Sequence, residues 1–276
     1  MKIKKPKNYK ETIEDLEGIL RKPANYTYYE IQNYDDEHKS LVVPFSDVHV
    51  GNIDWKQKEF EKNIEWCFDE KNVVLLLNGD LIEAKTRSRK GEGIFSQWNP
   101  QQQIEYILKM LKPFADEKKI IAITNGNHED AITLETGVDI TSIFAKELNV
   151  PYLKNGGFIS IKLLNQLYQF YMTHGSSGAT LPYTKSKAVR DLTNFITGVD
   201  CFIYGHVHAK EHATQQVYYP DTRGRQIKTK DIHYVLSGHY LNYFNSYAQQ
   251  KSMRPSATGT PKIKLSGDEK LIKVIL

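Results

Sequence analysis

The stretch Tyr204-Gly205-His206-Val207-His208 decides how the rest of the chain is read. It continues Cys201-Phe202-Ile203-Tyr204, an apolar run that reads as a buried strand. Gly205 breaks the run, as a glycine does where a strand must turn sharply. In an extended chain residues i and i+2 point to the same side, so His206 and His208 are expected to reach into one site. Two imidazoles in a polar loop at a strand end can clamp a metal ion. A Gly-His-x-His tetrad alone is equally an ordinary loop. Its meaning depends on what the other strand ends carry.

Four earlier strand ends carry residues of the same kind. Leu41 to Phe45 ends in Ser46-Asp47-Val48-His49, and Val73 to Leu77 ends in Asn78-Gly79-Asp80. Ile120 to Ile123 ends in Asn125-Gly126-Asn127-His128-Glu129-Asp130, and Tyr168 to Met172 ends in Thr173-His174-Gly175. Between these runs lie amphipathic helical patterns. One runs from Trp55 to Glu70 with Asp54 as N-cap. A second follows Asn99-Pro100 to about Asp116, a third spans Asp139 to Leu148 and a fourth Thr184 to Ile196. Phe158 to Leu163 and Tyr168 to Met172 read as a hairpin. Ile232 to Leu236 is a further strand ending in Ser237-Gly238-His239. Strands alternating with helices give an α/β layered fold, in which sites form at the carboxyl ends of the strands.

The chain has 276 residues, 40% of them hydrophobic, enough for one large domain or two small ones. No apolar run reaches 18 residues, and the basic N-terminus has no apolar segment behind it, so neither a transmembrane helix nor a secretory signal is expected. Cys67 and Cys201 sit in apolar surroundings and read as reduced core thiols of a cytoplasmic protein. A net charge of +4 permits a polyanionic partner without demanding one. Residues 1–38 read as an extension packed on the core, with a helix over Tyr9 to Lys22 and an edge strand over Tyr26 to Gln32. Residues 39–276 read as the catalytic domain.

The candidates at the strand ends are Asp47, His49, Asp80, Asn127, His174, His206 and His208. With no Cys among them, a closed Cys-type zinc site is excluded. Mixed nitrogen and oxygen donors suit Mn²⁺, Fe, Zn²⁺, Ni²⁺ or Co²⁺. Seven donors exceed one tetrahedral ion and suit two ions about 3.5–4 Å apart, with Asp80 as candidate bridge. Two divalent ions, two carboxylates and a bridging hydroxide leave a local charge of about +1, which attracts a phosphate. The bridging water, its pKa lowered toward about 7, would be the nucleophile. His128 follows Asn127 directly, so in an extended segment it points the other way. It is expected to protonate the leaving oxygen, oriented by Glu129 or Asp130.

The stretches "SDVHVG", "NGDLIE", "GNHED", "THGSSG" and "YGHVH" resemble, in order, the five signature blocks of the calcineurin-like metallophosphoesterase superfamily. The resemblance covers about Leu41 to His212. It implies a four-layer αββα sandwich with a dinuclear centre, one metal on Asp47, His49, Asp80 and His208, the other on Asp80, Asn127, His174 and His206. It also implies that His128 is the proton donor and Mn²⁺ the first metal to try. Members that act as Ser/Thr phosphatases carry an Arg soon after the second block and another after the third. Here Leu81-Ile82-Glu83-Ala84 and Glu129-Asp130-Ala131 stand there. The short blocks look more like the bacterial and phage DNA-repair exonuclease branch. That points to a phosphodiesterase on DNA, RNA or a nucleotide derivative, with a small phosphomonoester or a non-catalytic scaffold as the alternatives.

Three further stretches leave two readings each. Lys85-Thr86-Arg87-Ser88-Arg89-Lys90 could track a phosphate backbone or be a solvated loop. Tyr240, Tyr243, Phe244 and Tyr247 could stack on bases or pack as a helix face. His212 could support His206 or His208 or lie on the surface, and His233 and His239 fall outside the metal set.

Overall fold

The computed structural model describes residues 24–85, 96–176, 178, 182–250, 252 and 254–276. Three apolar runs become adjacent parallel strands: Lys39–Phe45 (β2), Val73–Asn78 (β3) and Ile120–Thr124 (β4). Every residue of β3 and β4 is buried, which requires cover on both faces. Alternation along β3 supplies two contact surfaces. Val73, Leu75 and Leu77 face the helices Gln57–Asp69 (α1) and Pro100–Asp116 (α2), meeting Phe60, Ile64, Ile107 and Leu111. Val74 and Leu76 face a second sheet, meeting residues such as Ile159, Phe170 and Ile203.

The first sheet is completed by two antiparallel strands, Lys262–Ser266 (β10) and Ile272–Ile275 (β11), in the order β11-β10-β2-β3-β4. The second has six strands. They are Tyr26–Glu30 (β1), Gly157–Leu163 (β5), Gln166–Thr173 (β6), Cys201–Tyr204 (β7), Lys210–Asp221 (β8) and Gln226–Ser237 (β9), in the order β1-β5-β6-β7-β9-β8. Helices Asn127–Thr136 (α3) and Ile140–Glu147 (α4) lie by the first sheet, and Pro182–Arg190 (α5) covers the outer face of the second through Val189 against Phe202 and Tyr234. The architecture is the expected four-layer αββα sandwich. No helix among the described residues is long and apolar enough to cross a membrane.

Several local readings change. α1 starts at Gln57 with Lys56 at the cap and no side-chain capping bond, so Asp54 is not its N-cap. By contrast Asn99 and Gln102 form the reciprocal capping box ahead of α2, with Pro100 at its first position. The fourth helix, expected to run to Ile196, ends at Arg190, followed by a 3₁₀ turn over Asp191–Asn194, and Phe195 is exposed. No helix forms over 239–246. Tyr240 is fully buried, stacked on Phe45, while Phe244 is exposed. β8 has no counterpart in the sequence reading, and β9 starts well before Ile232. Before His233, over residues 215–221 and 226–232, the two strands pair only with each other, so their sequence lacks the apolar alternation of a packed strand. The expected helix over 9–22 and basic residues 86–90 lie outside the described residues.

β2, β3 and β4 run parallel, as do β6, β7 and β9. Their carboxyl ends therefore bring Asp47 and His49, Asp80, Asn127 and His128, His174, His206 and His208, and His239 to one end of the sandwich.

Candidate metal centre

The structure brings all seven expected donor residues together. His49 Nε2 and His208 Nε2 are 3.1 Å apart, and His208 Nε2 is 3.2 Å from Asp47 Oδ1. On the other side, Asn127 Oδ1 lies 2.6 Å from His206 Nδ1 and 3.3 Å from His174 Nε2. Asp80 Oδ2 stands between the two groups, 3.1 Å from His174 Nε2 and 3.9 Å from His49 Nε2. His206 and His208 both reach the site, as expected, but into different halves of it.

They do not do so as an extended strand. Asp47, His49, Asp80, His206 and His208 all have φ between 46° and 65°. A non-glycine residue in this left-handed region costs about 1–3 kcal/mol and persists where its surroundings dictate it. Glycines allow the close approach of these loops. A Cβ on Gly126 would collide with Asp80 N and Oδ1, and one on Gly205 would collide with Ser46 Oγ.

Each carboxylate has one oxygen committed and one presented. Asp47 Oδ2 accepts from Ser46 Oγ and from His206 N, whereas Oδ1 is buried with no hydrogen-bond partner, His208 being out of line for one. Asp80 Oδ1 accepts from His128 N at 2.9 Å, which leaves Oδ2 facing the histidines. The imidazoles are oriented likewise. His174 Nδ1 donates to Asn78 O at 2.7 Å, so Nε2 is its donor atom toward a metal. His49 Nδ1 faces the buried Glu83 carboxylate at 3.0 Å. An orphaned buried carboxylate oxygen beside converging imidazole nitrogens fits divalent cations.

The electrostatics agree. Burial would raise both aspartates, but His174 holds Asp47 and Asp80 below the ordinary carboxylate range, with His208 helping at Asp47 and His128 at Asp80. Burial would lower His174, yet Asp80 and Asp47 push it up to about 10. Glu83 is lowered to about 2: burial opposes its charge, and His49 and His128 outweigh burial.

Two expectations about His128 are corrected. It lies in the first turn of α3, not in an extended segment, because Gly126 starts the helix and Glu129 and Asp130 follow at its positive end. Its orientation comes from neither of those acids: Nδ1 donates to Glu83 O at 2.7 Å. Its ring packs edge-on against His49 at 4.5 Å, and it falls within 4.8 Å of donor atoms of His49 and Asp80. Burial lowers its pKa, but Asp80 and Glu83 carry it above the usual histidine value.

Sequence reasoning missed the roles of Glu83 and Glu129. The Glu129 carboxylate accepts the backbone N–H groups of Asp80, Leu81 and Ile82. Both lie in the quoted blocks, Glu83 only as a departure from an Arg pattern and Glu129 also as a candidate to orient His128, which it does not do. His212 pairs with His233, its Nε2 3.0 Å from His233 Nδ1, rather than supporting His206 or His208. Lys85, the first residue of the basic run, is ion-paired with Glu83 Oε1 at 2.9 Å.

A four-layer sandwich with nitrogen and oxygen donors gathered at its strand ends defines a metal-site α/β protein. The family model of the calcineurin-like phosphoesterases matches residues 41–210, more than half of the chain, and the chain belongs to that family. It is a phosphoesterase of a family that works with divalent metals. Among solved structures, one similar chain is a conserved uncharacterized protein from Streptococcus pneumoniae TIGR4, described as a predicted phosphoesterase. The identity is 11%, covering 86% of this chain and 97% of that one, with a TM-score of 0.35. A comparison with curated proteins gave no match.

Proposed function

We propose that the protein is a dinuclear phosphodiesterase acting on nucleic acid or a nucleotide derivative, akin to the bacterial and phage DNA-repair exonuclease branch. The observation that carries the dinuclear reading is Asp80 Oδ2, placed between His49 and His174 with donors converging on either side. Asp47, His49, Asp80 and His208 would hold one ion, and Asp80, Asn127, His174 and His206 the other. Mn²⁺ is the proposed metal. When bound, the ions supply a nucleophile from water at neutral pH and offset the charge of the transition state.

The chain's own residues do the rest. His128, its Nδ1 tied to Glu83 O, has Nε2 left to protonate the departing alkoxide. Glu83 and Glu129 fix the ligand loops through His49 and through the Asp80–Ile82 amides. The diester reading draws on the Asp80–His128 side of the site. Leu81, Ile82 and Ala84 are buried there, and Lys85 is occupied by Glu83, so among the described residues this side presents no arginine to take the second charge of a monoester. The buried thiols Cys67 and Cys201 fit a reducing compartment such as the cytoplasm.

The test is a screen of the purified, Mn²⁺-loaded protein against a chromogenic diester, the matching monoester, cyclic nucleotides and single- and double-stranded DNA. Faster turnover of diesters supports the proposal. Turnover of the monoester alone replaces it with a phosphomonoesterase, and no turnover of any ester with metal bound replaces it with a scaffold.

A further inference from the structure

On the face of the donor set away from His128 lie two groups that the proposed chemistry does not use. His239 follows β9 and stacks on His208, the ring centroids 5.4 Å apart and the planes 14° from parallel. Its Nδ1 accepts from Leu241 N at 3.3 Å, so the neutral ring carries its proton on Nε2. That Nε2 is buried and has no hydrogen-bond partner. Lys185, on α5, is 8% exposed, as is His239. Among the described residues the Lys185 side chain makes no ion pair or hydrogen bond. It stands one helical turn before Val189, whose packing on Phe202 and Tyr234 sets α5 against β7 and β9, and beside Ser186, which bonds Glu211; Asp47 and Glu211 act on its charge, and its charge acts on His239.

The imidazole N–H is sealed from solvent and the Lys185 ammonium, on a mostly buried side chain, is not; both are donors, and neither can satisfy the other. Buried donors are normally answered. The missing partner is therefore an acceptor, and beside a lysine an anionic one. Neither protein carboxylate in reach serves. Asp47 turns its committed oxygen to Ser46 and His206 and its free oxygen toward His208, while Glu211 accepts from Ser186 Oγ at 3.0 Å.

We propose that Lys185 and His239 form an anion subsite that binds a phosphoryl oxygen of the substrate on the Asp47–His208 side, opposite the proton donor. The subsite rests on the phosphodiesterase reading for its ligand, although its geometry stands apart from turnover. The oxygen belongs either to the scissile phosphate or to the adjoining phosphate of a polynucleotide. Either way the substrate is held from two sides, with its leaving group toward His128.

The experiment compares parent, Lys185→Met, Lys185→Arg and His239→Phe, each Mn²⁺-loaded with metal content measured. Calorimetry with inorganic phosphate is the first readout, and KM is the second. The two substrates are thymidine 5′-(p-nitrophenyl phosphate) and its 3′-phosphorylated form. Loss of a charge-assisted hydrogen bond should weaken phosphate binding about tenfold or more in Lys185→Met. Loss of a neutral donor should weaken it less in His239→Phe, and Lys185→Arg should restore most of the affinity. A raised KM on both substrates assigns the subsite to the scissile phosphate. A raised KM only on the 3′-phosphorylated one assigns it to the neighbour. Unchanged phosphate affinity and KM in both Lys185→Met and His239→Phe, with metal intact, overturns the subsite and leaves the phosphodiesterase reading standing. Weakened phosphate binding in a protein that cleaves no diester does the reverse.

Discussion

Glu129 holds Asp80 in place: its Oε2 accepts the Asp80 backbone N–H at 2.9 Å, while Oε1 accepts those of Leu81 and Ile82. The candidate bridging residue, in a left-handed conformation, is thus fixed by a carboxylate in the first turn of α3. Burial and the charge of Asp80 push the Glu129 carboxyl up to about 7, against the lowering pull of the amides.

That shift has a sign. Between the ordinary value of 4.5 and about 7, folded metal-free protein keeps a proton that the unfolded chain has lost. This contribution is full below pH 4.5 and is lost as pH rises through about 7, up to roughly 3 kcal/mol. In urea titrations of chelated protein at pH 5 and pH 8, Glu129→Gln should lose less stability across that interval than the parent. Parallel losses in the two proteins would remove Glu129 as the titrating group.

Metal uptake should release protons. His174, pushed up to about 10 by Asp80 and Asp47, is charged at pH 7 in the metal-free protein and must become neutral to bind. The calorimetric enthalpy of Mn²⁺ binding at pH 7 should vary between buffers of different ionisation heat, in the direction of proton release. Apparent affinity should fall as pH drops. A buffer-independent enthalpy would mean His174 is already neutral.

Asp80→Asn removes a charge from the position between the two donor groups. Metal content should fall and turnover should drop by more than the roughly 10–100-fold typical of losing a residue that only supports a ligand. Two full equivalents of metal with parent activity would show that Asp80 is no bridge.

His128→Ala separates acid catalysis from ligation. A general acid is worth about 10²–10⁴ in rate when the leaving group is an alkoxide, and little when it is nitrophenolate. Cleavage of a dinucleotide should therefore fall far more than cleavage of a nitrophenyl diester, with metal content unchanged. Equal losses would argue against the acid role, and a lost ion would make His128 a ligand, as its place near His49 and Asp80 allows.

Legibility in the sequence followed locality. Apolar runs closing on Asp, Asn or His placed the strand ends, and Asn99-Pro100 announced a helix start that the structure keeps. What stayed hidden depends on contacts distant in sequence. The amides that Glu129 binds are 47 to 49 residues away, and His239 meets His208 only because β9 runs beside β7. The left-handed backbone at Asp47, His49, Asp80, His206 and His208 is likewise fixed by distant contacts: Asp and His tolerate that region better than most residues but do not signal it in a sequence. The β8–β9 arm escaped notice because its solvated strands carry no packing pattern.

The central claim is that two metal ions in this donor set make a phosphodiesterase. Its most direct test is a titration of chelated protein with Mn²⁺, following bis(p-nitrophenyl) phosphate hydrolysis against ions bound per chain. Hydrolysis should be absent without metal and reach its plateau at two ions per chain. A plateau at one ion, full activity without metal, or no hydrolysis with two ions bound would contradict it.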